Sequence, residues 1–178
     1  MEEYRTINEM IERMSVREKA RQLTQINAVY LKEESSAGIT GKPEELGVSE
    51  QDIWDAGSVL NFMYGGEMSE IQETYLEKSE AKIPLIFMQD VVHGYRTIFP
   101  IPLAMGASFD TELAEECAKI SALEARANGT QVTFAPMVDL VRDSRWGRVL
   151  ETTGEDAWLN GEMGKAFIRG FHKGGLAC

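Results

Sequence analysis

The chain has 178 residues, 43% of them hydrophobic and 26% charged, which is enough apolar material for one globular core and too much for a disordered segment. Its 29 acidic and 18 basic residues leave a net charge of −11. That balance argues against a nucleic-acid partner and against docking on an anionic membrane, because both need a positive footprint. The two cysteines, Cys117 and Cys178, are too few and too far apart to suggest a disulfide framework or a zinc site. No stretch approaches the roughly 18 apolar residues of a membrane-spanning helix. The polar start Met1-Glu2-Glu3-Tyr4-Arg5 lacks the apolar core of a secretory signal, so a cytoplasmic location is expected, with a periplasmic or secreted one left open.

Ile7, Met10, Ile11 and Met14 fall at i, i+3, i+4 and i+7, the spacing of an amphipathic helix. Ser15 with Glu18 three residues on predicts a capping box opening a second short helix, with Ala20 and Leu23 as its apolar positions. Residues 33–52 are charged and rich in Gly, Ser and Pro. The stretch 33–56 is therefore expected to be a long surface excursion, with a short helix near 49–55. Gly57 to Met63 forms an apolar run ended by Gly65-Gly66 and predicts a short buried strand. A helical pattern follows over 68–81, with Met68, Ile71, Gln72 and Tyr75 on one side. Pro84 to Met88 is a second apolar run, stopping at polar Gln89 and Asp90. Residues 111–127 predict the clearest helix, with Asp110 as N-cap, Gly129 as its stop, and Leu113, Cys117 and Ile120 on one face. Gln131 to Val138 is a third strand candidate, followed by Asp139. The last helix is expected to begin near Glu155 and to turn Leu159, Met163, Ala166 and Phe167 inward. Gly174 to Cys178 reads as a loop leading into another strand.

Continuous apolar strands alternating with helices imply an α/β fold, a parallel sheet covered by helices. A closed barrel and an open doubly wound sheet both fit that pattern. Asp90 and Asp139 sit at the C-terminal ends of strands, the edge on which such folds build sites.

Two segments carry the chemistry. In the first, Asp90 to Pro100, a carboxylate at a strand end is followed six residues later by Arg96. An acceptor and a forked donor at that spacing can bind the neighbouring hydroxyls of a sugar. An internal ion pair that only shapes the loop accounts for Asp90 and Arg96 equally well. His93, one of two histidines, is expected to be structural, and His172 on a distant segment gives little support to a metal site. The second segment, Val141 to Glu151, holds Arg142, Arg145 and Arg148 in an otherwise acidic chain. One arginine is expected in a pocket and the others in support, although a loop salt-bridged to Asp139, Asp143, Glu151 and Glu155 would look the same. Trp146 could stack on a sugar face, and packing explains it as well. Glu151 and Glu155 are expected to orient arginines or start the final helix rather than to act as an acid/base pair.

Taken together and in order, the segments Asp90 to Pro100, Leu103 to Phe109, Phe134 to Asp139, Arg142 to Arg148 and Glu151 to Asp156 resemble the family 3 glycoside hydrolases, in particular their bacterial β-glucosidase branch. The resemblance runs from about residue 7 to the end of the chain. It implies a (β/α)8 TIM-type barrel as the first domain. A whole barrel takes about 250 residues, and about 200 at the least, so the chain 1–178 holds roughly half of one. By the same resemblance Asp90 grips sugar hydroxyls in the −1 subsite, Arg148 is the second pocket residue, and Arg96 matches an arginine that contacts sugar in some branches. Arg142, Asp143, Arg145 and His93 match positions read as structural. Ser144 stands where proline is usual and should loosen one turn.

The resemblance also places a sugar-binding Lys-His pair, the nucleophilic aspartate and the acid/base residue beyond position 178. It implies a retaining β-glycosidase of which this chain supplies part of the sugar pocket and no catalytic residue. Neither a cofactor nor a metal is expected, and the expected ligand is a β-glucoside or related small carbohydrate. A half barrel would also leave strand edges through which copies could self-associate. Two other readings fit the same residues: a non-catalytic sugar-binding module, and a subunit completed by another chain. An unrelated nucleotide-binding fold is disfavoured, since no Gly-x-Gly-x-x-Gly or phosphate-loop pattern follows any strand.

Overall fold

The computed structural model describes residues 7–31, 47–61 and 65–178. They divide into two compact units, Met1–Phe87 and Met88–Cys178.

In the first unit α1 (Ile7–Arg13) and α2 (Val16–Gln22) form where the periodicity and the capping box place them. Ser15 Oγ accepts from the Glu18 N–H at 3.2 Å, and the Glu18 carboxylate accepts from the Ser15 N–H at 2.6 Å. Burial departs from expectation. None of the residues of α1 is buried. In α2, Ala20 is exposed and Leu23 is 89% exposed, while Arg21 is the buried residue. The cause is electrostatic: acceptors on α3 (Glu50–Trp54) and just after it draw the guanidinium inward. Arg21 donates to Asp52 through Nε at 3.1 Å and Nη2 at 2.8 Å, and to the buried Asp55 through Nη1. Asp55 also accepts from the Glu80 N–H at 2.9 Å and from the Gln51 amide at 3.0 Å. Hydrogen bonds from Ser49 and then Arg21 hold the Asp52 carboxyl far below the usual carboxylate range.

Within the stretch 33–56, residues 33–46 lie outside the described residues, and α3 buries Ile53 and Trp54. Strand β1 (Gln25–Asn27) pairs in parallel with β2 (Ser58–Leu60), with Ile26 opposite Val59. Three residues with one buried side chain are too short to reveal β1 in the sequence. Phe62 and Met63, the end of the expected strand, lie outside the described residues. Helix α4 (Gly65–Lys78) turns Met68, Ile71 and Tyr75 into a core with Val59, Leu85 and Phe87. The Tyr75 hydroxyl, buried in that core, donates to the Ala56 carbonyl at 2.6 Å.

Strand β3 (Ile86–Gln89) leads into the second unit, where Met88 and Gln89 pair in parallel with Val132 and Thr133 of β4 (Val132–Thr133). β4 is much shorter than the expected 131–138. One further ladder bond, Phe134 N–H to the Gln89 carbonyl at 3.3 Å, follows it. Pro136 then has no N–H to donate. The chain end behaves as expected of a strand start: Ala177 bridges Val132 in parallel, and the Thr133 N–H donates to the Ala177 carbonyl at 2.8 Å.

Helix α5 (Pro102–Ser108), absent from the sequence expectation, opens with proline in its first turn. Asp110 caps α6 (Thr111–Ala127) through the Leu113 N–H at 2.9 Å, and Asp156 caps α7 (Ala157–Lys173) through the Leu159 N–H at 2.7 Å. Met163, Ala166 and Phe167 are buried and Leu159 is partly buried, as expected. On α6 the buried face is Ala114, Cys117, Ala118, Ser121, Ala122 and Ala125, whereas Leu113 is 46% exposed. The reason is the closeness of α7. A Cβ on Gly170 would lie 2.2 Å from the Glu115 carbonyl oxygen and 2.6 Å from the Ala118 Cβ, and one on Gly174 2.3 Å from the Ala122 Cβ. Only small side chains fit that seam, and the larger Leu113 is left outside it. Glu115 locks the edge of the seam by accepting from Arg169 Nε at 2.7 Å and from Lys173. No helix among the described residues is long and apolar enough to cross a membrane.

Candidate functional site

The site residues expected from sequence all fall in the second unit. Asp90 follows the last residue of β3 and is exposed. The loop after it is tied down at its start, where the N–H of buried Val91 donates to Thr133 Oγ1 at 3.0 Å. The loop then closes on itself. The Phe99 N–H donates to the His93 carbonyl at 2.8 Å, and His93 Nδ1 lies 3.2 Å from the Phe99 carbonyl oxygen, so the imidazole braces the loop base. Gly94 pairs with Ile98 at φ 123°. A Cβ there would meet the Thr97 carbonyl oxygen at 2.0 Å, which makes glycine a steric requirement.

Glu124 on α6 holds the tip of this loop. It accepts from the Arg96 and Thr97 N–H groups, each at 2.8 Å, and from the Thr97 hydroxyl at 2.6 Å. The two Thr97 bonds chiefly hold the Glu124 carboxyl below its ordinary value, and the Arg96 charge lowers it further. The Tyr95 hydroxyl accepts from the amide of Asn128, the C-cap of α6. Arg96 therefore belongs to a hairpin anchored on the last turns of α6. Among the described residues no ion pair joins it to Asp90.

The second segment gives Arg145 and Arg148 different partners. The Val141 N–H donates to the Gly154 carbonyl at 3.1 Å and closes the loop. Arg145 turns back on Asp143, donating through Nε at 2.9 Å and Nη2 at 2.5 Å, and is 88% exposed. Beside Ser144 the turn still closes, with the Trp146 N–H on the Asp143 carbonyl at 3.1 Å. Arg148 precedes a 3-10 turn, Val149–Glu151, and grips Glu151 at two points: Nε to Oε1 at 3.0 Å and Nη2 to Oε2 at 2.7 Å. Glu151 raises Arg148 above the usual guanidinium value, and the charges of Asp139 and Asp90 add to the effect. Glu151 also borders a narrow, largely apolar crevice lined by Val92, Pro102, Pro136, Met137 and Phe167.

Glu124 has no sequence signal beyond being a glutamate on a helix. Its role depends on a hairpin 28 positions earlier in the chain. Glu151 is legible as an arginine partner, but which arginine it takes is decided by the path of the loop. Among the described residues no group of three or more His, Cys, Asp or Glu side chains could hold a metal ion.

Residues 15–178 match the glycosyl hydrolase family 3 N-terminal domain. The chain belongs to glycosyl hydrolase family 3. Its curated relatives include the periplasmic β-glucosidase of Salmonella typhimurium, 35% identical over 92% of this chain, and the lysosomal β-glucosidase of Dictyostelium discoideum, 30% identical over 94%. The chain spans 20% and 23% of those two proteins. Among solved structures it is similar to a β-glucosidase of Listeria innocua. The laminaribiose complex of a mutant of that enzyme superposes with a TM-score of 0.85 at 47% identity, covering 94% of this chain and 24% of the other. Its glucose complex gives 0.83 at 47%, covering 92% and 23%. With the parallel strands and their covering helices, this makes the fold part of a (β/α)8-type barrel.

Proposed function

We propose that this chain is part of a retaining β-glycosidase acting on terminal β-D-glucosyl residues, and that it supplies part of the −1 subsite. The relatives matched over nine-tenths of this chain are named β-glucosidases, while others, matched over about half of it or less, are named β-xylosidases. The observation that carries the reading is the placing of Asp90 directly after β3 and of Arg148, held at two points by Glu151, in the loop after the neighbouring strand β4. A neutral pyranose is suited to such a place, because its hydroxyls can donate to Asp90 and accept from Arg148 while its apolar ring face rests on aliphatic side chains. Arg96 takes a supporting part in this reading, since its backbone N–H helps to anchor the loop tip on Glu124.

Retaining hydrolysis needs two carboxyl groups about 5–5.5 Å apart, one as nucleophile and one as acid/base. In this proposal neither lies within 1–178, so the chain alone binds without turning over. Light scattering of the isolated chain reports whether its open strand edges pair.

The test is hydrolysis of an aryl β-glucoside by the full-length protein. Loss of a charged hydrogen bond costs about 1.5–3 kcal/mol, so Asp90→Asn and Arg148→Met should each lower kcat/KM by about 10- to 150-fold. Wild-type rates in both variants would remove Asp90 and Arg148 from the site. Enzyme-like turnover by residues 1–178 alone would refute the assignment of catalysis to the rest of the protein.

A further inference from the structure

We propose that Glu151 is a positioning residue, one that aims Arg148 at the sugar and keeps it from collapsing onto Asp90; this rests on the reading of Asp90 and Arg148 as the sugar-gripping pair. A guanidinium presents five N–H donors in one plane. Arg148 commits Nε and one Nη2 hydrogen to the two oxygens of Glu151, at 3.0 and 2.7 Å. Two contacts fix the plane of the group as well as its place. The remaining edge, both Nη1 hydrogens and the second on Nη2, has no hydrogen-bond partner among the described residues. Adjacent donors on one edge suit two neighbouring hydroxyl oxygens of a pyranose.

Glu151 is itself well held. Its N–H donates to the Arg148 carbonyl at 3.0 Å, closing the 3-10 turn, and Thr152 after it is fully buried. Arg148 is 56% exposed and Glu151 35%, and a pair so exposed adds little to the stability of a fold. What the pair sets is the direction of the guanidinium. Two other carboxylates, Asp139 and Asp90, also attract Arg148. Without Glu151 they are the anions left to it, and a direct Arg148–Asp90 pair would occupy both sugar-binding groups at once.

The experiment is a double-mutant cycle in the full-length protein, read as kcat/KM on an aryl β-glucoside with thermal melting as the fold check. Glu151→Gln keeps the size and removes the charge, and should lower kcat/KM about tenfold with an unchanged melting temperature. In an Arg148→Met background the same substitution should have no further effect, because its only route is through Arg148. Added acetate should restore part of the activity of Glu151→Ala and none of that of Arg148→Met. A Glu151→Gln effect that persists in Arg148→Met, or no effect in the wild-type background, overturns the positioning role while leaving the sugar-gripping pair intact. If Arg148→Met itself is harmless, the pair fails and the role of Glu151 fails with it.

Discussion

Replacing Arg21 by methionine removes the cation at the centre of the first unit while keeping an unbranched side chain of similar reach. The arginine side chain is 8% exposed and the Asp55 carboxylate against it 3%, so removing the cation leaves a buried anion with hydrogen bonds but no counter-charge. Breaking a buried pair from one side costs about 3–5 kcal/mol. The bond to Asp52 is worth less, about 0.2–1 kcal/mol, because that carboxylate is 36% exposed and partly hydrated. Glu80 lies 3.7 Å from Arg21 and is 63% exposed, so it adds nothing of weight. The expected loss is therefore about 3–6 kcal/mol, a large part of the total stability of an ordinary domain. Urea unfolding followed by tryptophan fluorescence measures it, since Trp54 lies in the neighbouring core. Adding Asp55→Asn to Arg21→Met should recover a good part of the loss, because the uncompensated charge is then gone. A loss under about 1 kcal/mol for Arg21→Met would refute the reasoning and mean that the network is hydrated in solution.

Gly170→Ala places a methyl 2.2 Å from the Glu115 carbonyl oxygen, so α6 and α7 must separate; thermal melting should show a loss of about 1–3 kcal/mol, whereas Gly161→Ala, with open space around it, should show none. Lys173 and then Arg169 depress the Glu115 carboxyl, which therefore contributes stability above its unfolded value and loses it as pH falls through the folded one. Glu115→Gln should accordingly flatten the acid side of the stability–pH curve and leave its shape near neutrality unchanged. Arg96→Ala keeps the backbone bonds to Glu124 and should change kcat/KM on an aryl β-glucoside by less than about threefold in the full-length protein. A loss comparable to that of Arg148→Met would make Arg96 a sugar contact.

The long helices were legible because their signals are local. Asp110 caps α6 from its own next turn, and Met163, Ala166 and Phe167 repeat at the helical period. What failed to show was whatever depends on a neighbour. Leu113 shares a helical face with Cys117 yet is 46% exposed, because Gly170 of α7 and its C-cap Gly174 bring that helix close, and glycines cannot announce that a helix passes close by. Leu23 lost its place to Arg21 for a similar reason. A hydrophobicity pattern ranks arginine last for burial, and only the carboxylates 31 and 34 positions later reverse that order. Strand β4 was overestimated because an apolar run looks the same whether or not a strand lies beside it to be paired.

The arginines after Asp139 show where sequence reading of a site reaches its limit. Arg142, Arg145 and Arg148 are chemically alike and three residues apart, each with an acid within a few positions. Spacing cannot rank them. The folded loop separates two of them: closed by the Val141–Gly154 bond, it leaves Arg145 with its own Asp143 in solvent, while Arg148 reaches Glu151 and is attracted also by Asp139 and Asp90. Arg145 and Arg148 each give Nε and Nη2 to a carboxylate of their own loop, so hydrogen bonding alone does not rank these two guanidiniums. One held along a single edge, with other anions near enough to matter, remains both charged and directed. By that criterion Arg148 is set apart from Arg145 by its surroundings alone: Arg145 is 88% exposed and Arg148 56%.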